Sequence, residues 1–163
     1  MIYGKIPRIE KKISKLIMGN DYLNKYSNAI KLWDFYYQNG GNTFDNSIYY
    51  REGLTEKFLG KWIKLRNIEK DLVIISKVGE ANTKPSEISK LLKISLERLK
   101  LNNIDILILH HDNTNVPVGE FIDIFNELVK LNLIKCFGIS NVKIKRFEEA
   151  ILWSKKNNNR WKK

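Results

Sequence analysis

Apolar positions along the chain follow two alternating patterns: short, nearly unbroken runs, and longer stretches where they return every third or fourth residue. Residues 14–20 (SKLIMGN) read as a short strand entering a glycine turn. Across residues 24–38, Tyr26, Ala29, Ile30, Trp33 and Tyr37 line one face of a helix, which Gly40 and Gly41 stop. Thr43 and Phe44 lead into Asp45. A helix follows, with Thr55 as its expected N-cap and Phe58, Leu59, Trp62 and Ile63 on its apolar face. Residues 71–79 (DLVIISKVG) and 105–110 (DILILH) are almost continuously apolar, as strands covered on both faces of a parallel sheet must be. Between them, Pro85 suits the first turn of a helix that buries Ile88, Leu91, Leu92, Leu96 and Leu99. Residues 118–131 form the next helix (Phe121, Ile124, Phe125, Leu128) and residues 134–140 (IKCFGIS) a fifth strand. Residues 144–155 form a fifth helix carrying Phe147, Ala150, Ile151 and Trp153.

Strand and helix alternate five times without a Pro/Gly/Ser-rich linker, which implies parallel strands joined by right-handed crossovers. The polar residues that close the strands are Asn20, Asp45, Lys77, His110 and Ser140, spaced by 25, 32, 33 and 30 residues. One βα unit takes about 30 residues, so these five occupy equivalent points of successive units. In a β/α barrel that point is the C-terminal rim, where catalytic groups gather. The structural rival is an open doubly wound sheet, disfavoured because no G-x-G-x-x-G follows the first strand. The expected fold is α/β: part of a (β/α)8 TIM barrel, about five parallel βα units, in one domain over residues 1–156. Residues 157–163 read as a basic tail.

Composition narrows the function. The 163 residues, 43% of them apolar, suffice for one globular core. No apolar run approaches the roughly 20 residues of a membrane span, and the N-terminus has no apolar segment of a secretory signal. The expected setting is therefore cytoplasmic, with no membrane partner. The single Cys136 excludes an intrachain disulfide and reads as an inert thiol in an apolar run. The net charge of +11 raises the question of nucleic acid. The lysines are scattered along helices and interleaved with Glu56, Glu69, Glu87 and Glu97, so a solvated basic surface is expected and no nucleic-acid partner.

The candidate chemistry lies at the strand ends. Asp45 alone could be a turn or capping residue, and His110 alone an ordinary rim histidine. Lys77 is harder to place: it follows a run of largely apolar residues, so it must be wholly or partly buried and needs a partner. An acid at the same height on the adjacent strand supplies one. An ammonium held charged beside the phenol of Tyr50 would favour the phenolate and prepare the tyrosine as a general acid. A neutral His110 could donate a hydrogen bond to the same oxygen of a carbonyl substrate. A Schiff-base role for Lys77 is the alternative, and an acid that keeps it charged opposes that role. No metal site is expected.

The segment GGNTFDNSIYYREGLTEKFLGKWI resembles the aldo-keto reductase pattern of Gly-x-Asn-x-Phe-Asp, then Tyr, then a Glu-x-x-Leu-Gly helix. IISKVG resembles the lysine strand of that family, SLERLKLNNIDILILHHD its histidine strand with the preceding helix, and FGISN the segment that grips the nicotinamide carboxamide. The resemblance runs from LIMGN to about Trp153. It implies that Tyr50 is the proton donor, Lys77 eases release of its proton, Asp45 holds Lys77, and His110 positions the carbonyl. Tyr49 is a decoy, since the family spacing of five from the aspartate selects Tyr50. Ser140 and Asn141 would bind the carboxamide of NADP, or of NAD, and Gly19 with Asn20 would lie near its phosphates. The implied reaction reduces an aldehyde or ketone by hydride transfer. The alternative is a non-catalytic barrel remnant or interaction module. The family's barrels have eight βα units and this chain supplies five, so the resemblance further implies a truncated copy. The open first and fifth strands would then invite self-association.

Overall fold

In the computed structural model, which describes residues 1–157, a five-stranded parallel sheet carries helices on one face. In chain order the elements are β1 (Tyr3–Gly4), β2 (Ile13–Ser14), β3 (Met18–Gly19), α1 (Tyr26–Gln38), β4 (Thr43–Asp45), a 3-10 turn (Tyr50–Gly53), α2 (Leu54–Arg66), β5 (Val73–Val78), α3 (Pro85–Leu99), β6 (Ile104–Leu109), α4 (Val118–Lys130), β7 (Ile134–Ile139) and α5 (Ile144–Lys156). The sheet order is β3-β4-β5-β6-β7, each neighbour parallel, as five consecutive βα units require. Among the described residues, β3 and β7 have a neighbour on one side only. The expected tail lies outside the described residues except for Asn157, which caps α5 by donating its amide Nδ2–H to the Trp153 carbonyl at 3.0 Å.

Alternation along the strands sorts side chains between two layers. Phe44, Ile74, Val78, Leu107 and Leu109 face the helices and join their apolar stripes in one core. Its densest part is aromatic, with the Phe44 ring 5.3 Å from Trp62 and 6.4 Å from Trp33. Val73, Ile75 and Ile106 point to the other face. By the same alternation Lys77, two residues beyond Ile75, belongs to that inner face.

Two local expectations change. The strand expected over 14–20 divides in two: Ile13–Ser14 pairs antiparallel with Tyr3–Gly4, and only Met18–Gly19 joins the main sheet. The hairpin has a packing reason, because Ile9 and Ile13 cover Val73, Ile75 and Ile106 on the inner face. Lys11 pairs there with the nearly buried Asp105 at 2.9 Å and also donates to the Leu72 carbonyl.

Thr55 does not cap α2. The helix starts at Leu54, after three successive left-handed residues, Arg51, Glu52 and Gly53. Thr55 is buried in the first turn, where its hydroxyl donates to Asn46 Oδ1 at 2.8 Å. Gly53 is required at its position: its φ is +83°, and a Cβ would sit 2.0 Å from Nη1 of Arg98. That guanidinium donates to the Ile48 carbonyl at 2.8 Å, which ties the loop after β4 to α3.

Gly60 sets how closely α2 approaches α3. A Cβ there would lie 2.5 Å from the Arg98 carbonyl oxygen and 2.6 Å from the Leu99 carbonyl carbon, both backbone atoms that cannot rotate away. Helix propensity alone would reward Gly60→Ala by about 1 kcal/mol. The clash outweighs that gain, and we expect Gly60→Ala to lower stability by about 2 kcal/mol, read as an earlier urea unfolding midpoint.

Candidate active site

The ladders of the sheet continue past the strand ends and fix the loops that carry the polar residues. The Asn46 N–H donates to the Ile75 carbonyl at 2.9 Å and the Ile48 N–H to the Lys77 carbonyl at 3.1 Å. The His110 N–H donates to the Val78 carbonyl at 2.8 Å, and the Ser140 N–H to the Leu109 carbonyl at 2.9 Å. Asp45, Lys77, His110 and Ser140 therefore end at one rim of the sheet.

Lys77 is 7% exposed, and its ammonium is paired with the Asp45 carboxylate on the adjacent strand. It also donates to the Asn46 carbonyl at 3.2 Å. These contacts satisfy a charge that would otherwise be costly to bury. The same Nζ lies 4.9 Å from the centre of the Tyr50 ring. The His110 ring stands edge-on to Tyr50, with centroids 6.0 Å apart and planes at 82°. The four candidate residues thus converge on one spot.

Burial pushes the pKa of His110 below the ordinary 6.5, and the neighbouring His111 and Lys77 charges push in the same direction. Its Nδ1 lies 3.4 Å from the Ser47 hydroxyl, a contact that the sequence had not singled out. The Ser47 hydroxyl donates to the Lys77 carbonyl at 3.2 Å, so toward His110 it is the acceptor.

Tyr49 is occupied elsewhere. Its hydroxyl accepts the Gly79 N–H at 3.1 Å, and burial raises its pKa. Its ring stacks on His110 at 6.1 Å and 22° and so serves as a wall of the site. Adjacent tyrosines with opposite commitments separate the decoy from the candidate.

The remaining predicted residues lie along the same strand ends. Asn141 has a left-handed backbone (φ 52°), and its Nδ2–H donates to the His110 carbonyl at 2.8 Å, linking the ends of β6 and β7. Ser140, the preceding residue, is half-buried, and Asn141 itself is exposed. Gly19 is exposed, with no atom within 4 Å of where a Cβ would stand. Asn20 is fully buried, its Oδ1 accepting Trp33 Nε1–H at 2.9 Å, while its Nδ2 has no hydrogen-bond partner.

The aldo/keto reductase family pattern matches residues 16–161. The chain belongs to that family, whose members are oxidoreductases acting on carbonyl compounds. It is 28% identical over 127 residues to norsolorinic acid reductase B of Dothistroma septosporum, an alignment covering 69% of this chain and 32% of that protein. The fold superposes on a thermostable aldo-keto reductase, Tm1743, solved with the inhibitor epalrestat. That match has a TM-score of 0.83 at 28% identity and covers 94% of this chain and 58% of the other. An aldo-keto reductase from Klebsiella pneumoniae in complex with NADPH shares the fold, with a TM-score of 0.77 at 20% identity, 85% of this chain and 49% of that one. The chain thus spans about a third of the curated relative and about half of each solved structure. Its five βα units correspond to part of their barrel.

Two outcomes follow from the geometry. Asp45→Asn strands an ammonium in a site where it is 7% exposed, whereas Lys77→Met leaves a carboxylate that is 31% exposed and can hydrate. Urea denaturation should therefore show a loss of about 2 kcal/mol for Asp45→Asn and a smaller one for Lys77→Met. The second concerns pH. Because the folded pKa of His110 lies below 6.5, the unfolded chain binds more protons in that range. Stability should fall as pH drops below 6.5, and His110→Gln should flatten the decline.

Proposed function

We propose that this chain carries the proton-delivery half of an NADP-dependent aldo-keto reductase site, acting on an aldehyde or ketone, with NAD as a possible substitute. The observation that supports this reading best is the nearly buried Lys77 ammonium, paired with Asp45 and 4.9 Å from the Tyr50 ring. A positive charge at that distance stabilises negative charge as it develops on the phenol oxygen. Tyr50 can then release its proton to a carbonyl oxygen as that oxygen gains charge.

Asp45 acts through Lys77: the ion pair holds the ammonium beside the ring. That same pairing opposes a Schiff-base role, which needs a free amine. His110 borders the space beside Tyr50. With its Nδ1 turned to Ser47, its ring would orient the substrate carbonyl toward the tyrosine. Tyr49 and the Tyr50 ring shield that side from water.

A nicotinamide cofactor, when bound, supplies the hydride. Ser140 and Asn141 would hold its carboxamide, with Gly19 and Asn20 near its phosphates. The NADPH complex of the Klebsiella enzyme, on the same fold, supports this cofactor class. Self-association through the open edges of β3 and β7 would cover the backbone that the sheet leaves unpaired.

The test is oxidation of NADPH by the purified chain with a simple aldehyde, comparing wild type, Tyr50→Phe and Tyr49→Phe. Tyr50→Phe should lower turnover about 100-fold or more, while Tyr49→Phe should retain most of it. Equal rates in wild type and Tyr50→Phe would leave a non-catalytic barrel fragment as the correct reading.

A further inference from the structure

Both histidines of the chain stand side by side after β6, and the proposed reduction uses only one. The ring of His111 lies 4.5 Å from that of His110, and its Nδ1 is 3.4 Å from Oε2 of Glu80. That nitrogen is shielded from solvent and makes no hydrogen bond, so it meets the carboxylate at close range without being aligned to it. One donor atom from each of Glu80, His110 and His111 lies within 4.8 Å of the other two.

Backbone contacts hold all three in place. The His110 and His111 N–H groups donate to the Val78 and Gly79 carbonyls at 2.8 and 3.1 Å, which fixes the segment after β6 against the turn after β5. In that turn, the Glu80 N–H donates to the Thr83 hydroxyl at 2.8 Å, and the Thr83 N–H returns a bond to the Glu80 carbonyl at 2.9 Å. Only side-chain rotation is left to bring the donors together.

We propose that Glu80, His110 and His111 form a binding site for a zinc ion. Two imidazoles and a carboxylate are a donor set suited to this ion, which bonds each at about 2.0–2.2 Å and leaves a further position open. From their present spacing the donors need to close by about an ångström to reach such bonds. Ser47 engages Nδ1 of His110, so Nε2 faces the ion, and the serine acts as the outer partner that ligating histidines usually have. Spacing along the chain gave no sign of this site, since Glu80 stands 30 residues before His110 and reaches it only through the β5–β6 pairing. An ion there would take the ring that orients a carbonyl. This competition rests on the proposed function, but the binding itself does not.

The experiment is calorimetric titration of the chelator-treated full chain with zinc chloride, with cobalt(II) absorption as a second readout of imidazole ligation. One ion per chain is expected, with Glu80→Gln and His111→Ala each weakening binding about tenfold or more and Tyr50→Phe leaving it unchanged. The exposed position of the Glu80 side chain makes Glu80→Gln the variant that keeps the fold. Absence of binding to the wild type, or equal affinity in wild type and Glu80→Gln, would overturn the site. Zinc binding retained in a chain without reductase activity would sink the reductase reading alone.

Discussion

The pairing of Lys77 with Asp45 is the constraint on which the rest of the site depends. A lysine on the inner face of a central strand is tolerable only if its charge is met, and Asp45 on the adjacent strand, opposite Ile75 in the register, meets it. The carbonyl of Asn46 adds a second acceptor. This holds an ammonium in a setting of reduced dielectric, where its influence on a neighbouring phenol is stronger than in water. Tyr50 lies over that charge, and His110 stands edge-on to Tyr50.

The scaffold keeps the pair in register through features well away from it. The close approach of α2 and α3 at Gly60 sets the helix layer behind β4 and β5. Arg98, admitted by Gly53, reaches from α3 to the Ile48 carbonyl and anchors the loop between Asp45 and Tyr50. The N-terminal hairpin covers the lower part of the inner face with Ile9 and Ile13, leaving the polar rim as the accessible end. Glu56, buried beneath this layer, accepts from Ser76 at 3.0 Å and from Ser95, and burial raises its pKa. That polar knot joins α2, β5 and α3 and belongs to the frame of the fold.

Much of this was legible in the sequence. Unbroken apolar runs such as LVIIS and ILIL announce strands covered on both sides, and spacings of three and four announce helices. A polar residue closing each run marks the rim. The hairpin was not legible, because two-residue strands are too short to show a period and are justified only by what they cover. The Thr55 cap failed because α2 starts one residue earlier, after three left-handed residues of which only Gly53 could be suspected from its type.

By itself, the sequence determined the order of the elements, their parallel arrangement and the identity of the groups at the strand ends. Those follow from periodicity and from the cost of burying charge, both properties of the chain read locally. Only the tertiary structure decided which groups meet. It gave Tyr49 to the Gly79 amide and Tyr50 to the ammonium, set Ser47 against His110, and brought Glu80 beside two histidines. Such meetings depend on strand register and loop course, which place residues about 30 positions apart within a few ångströms and leave no trace in the order of the residues.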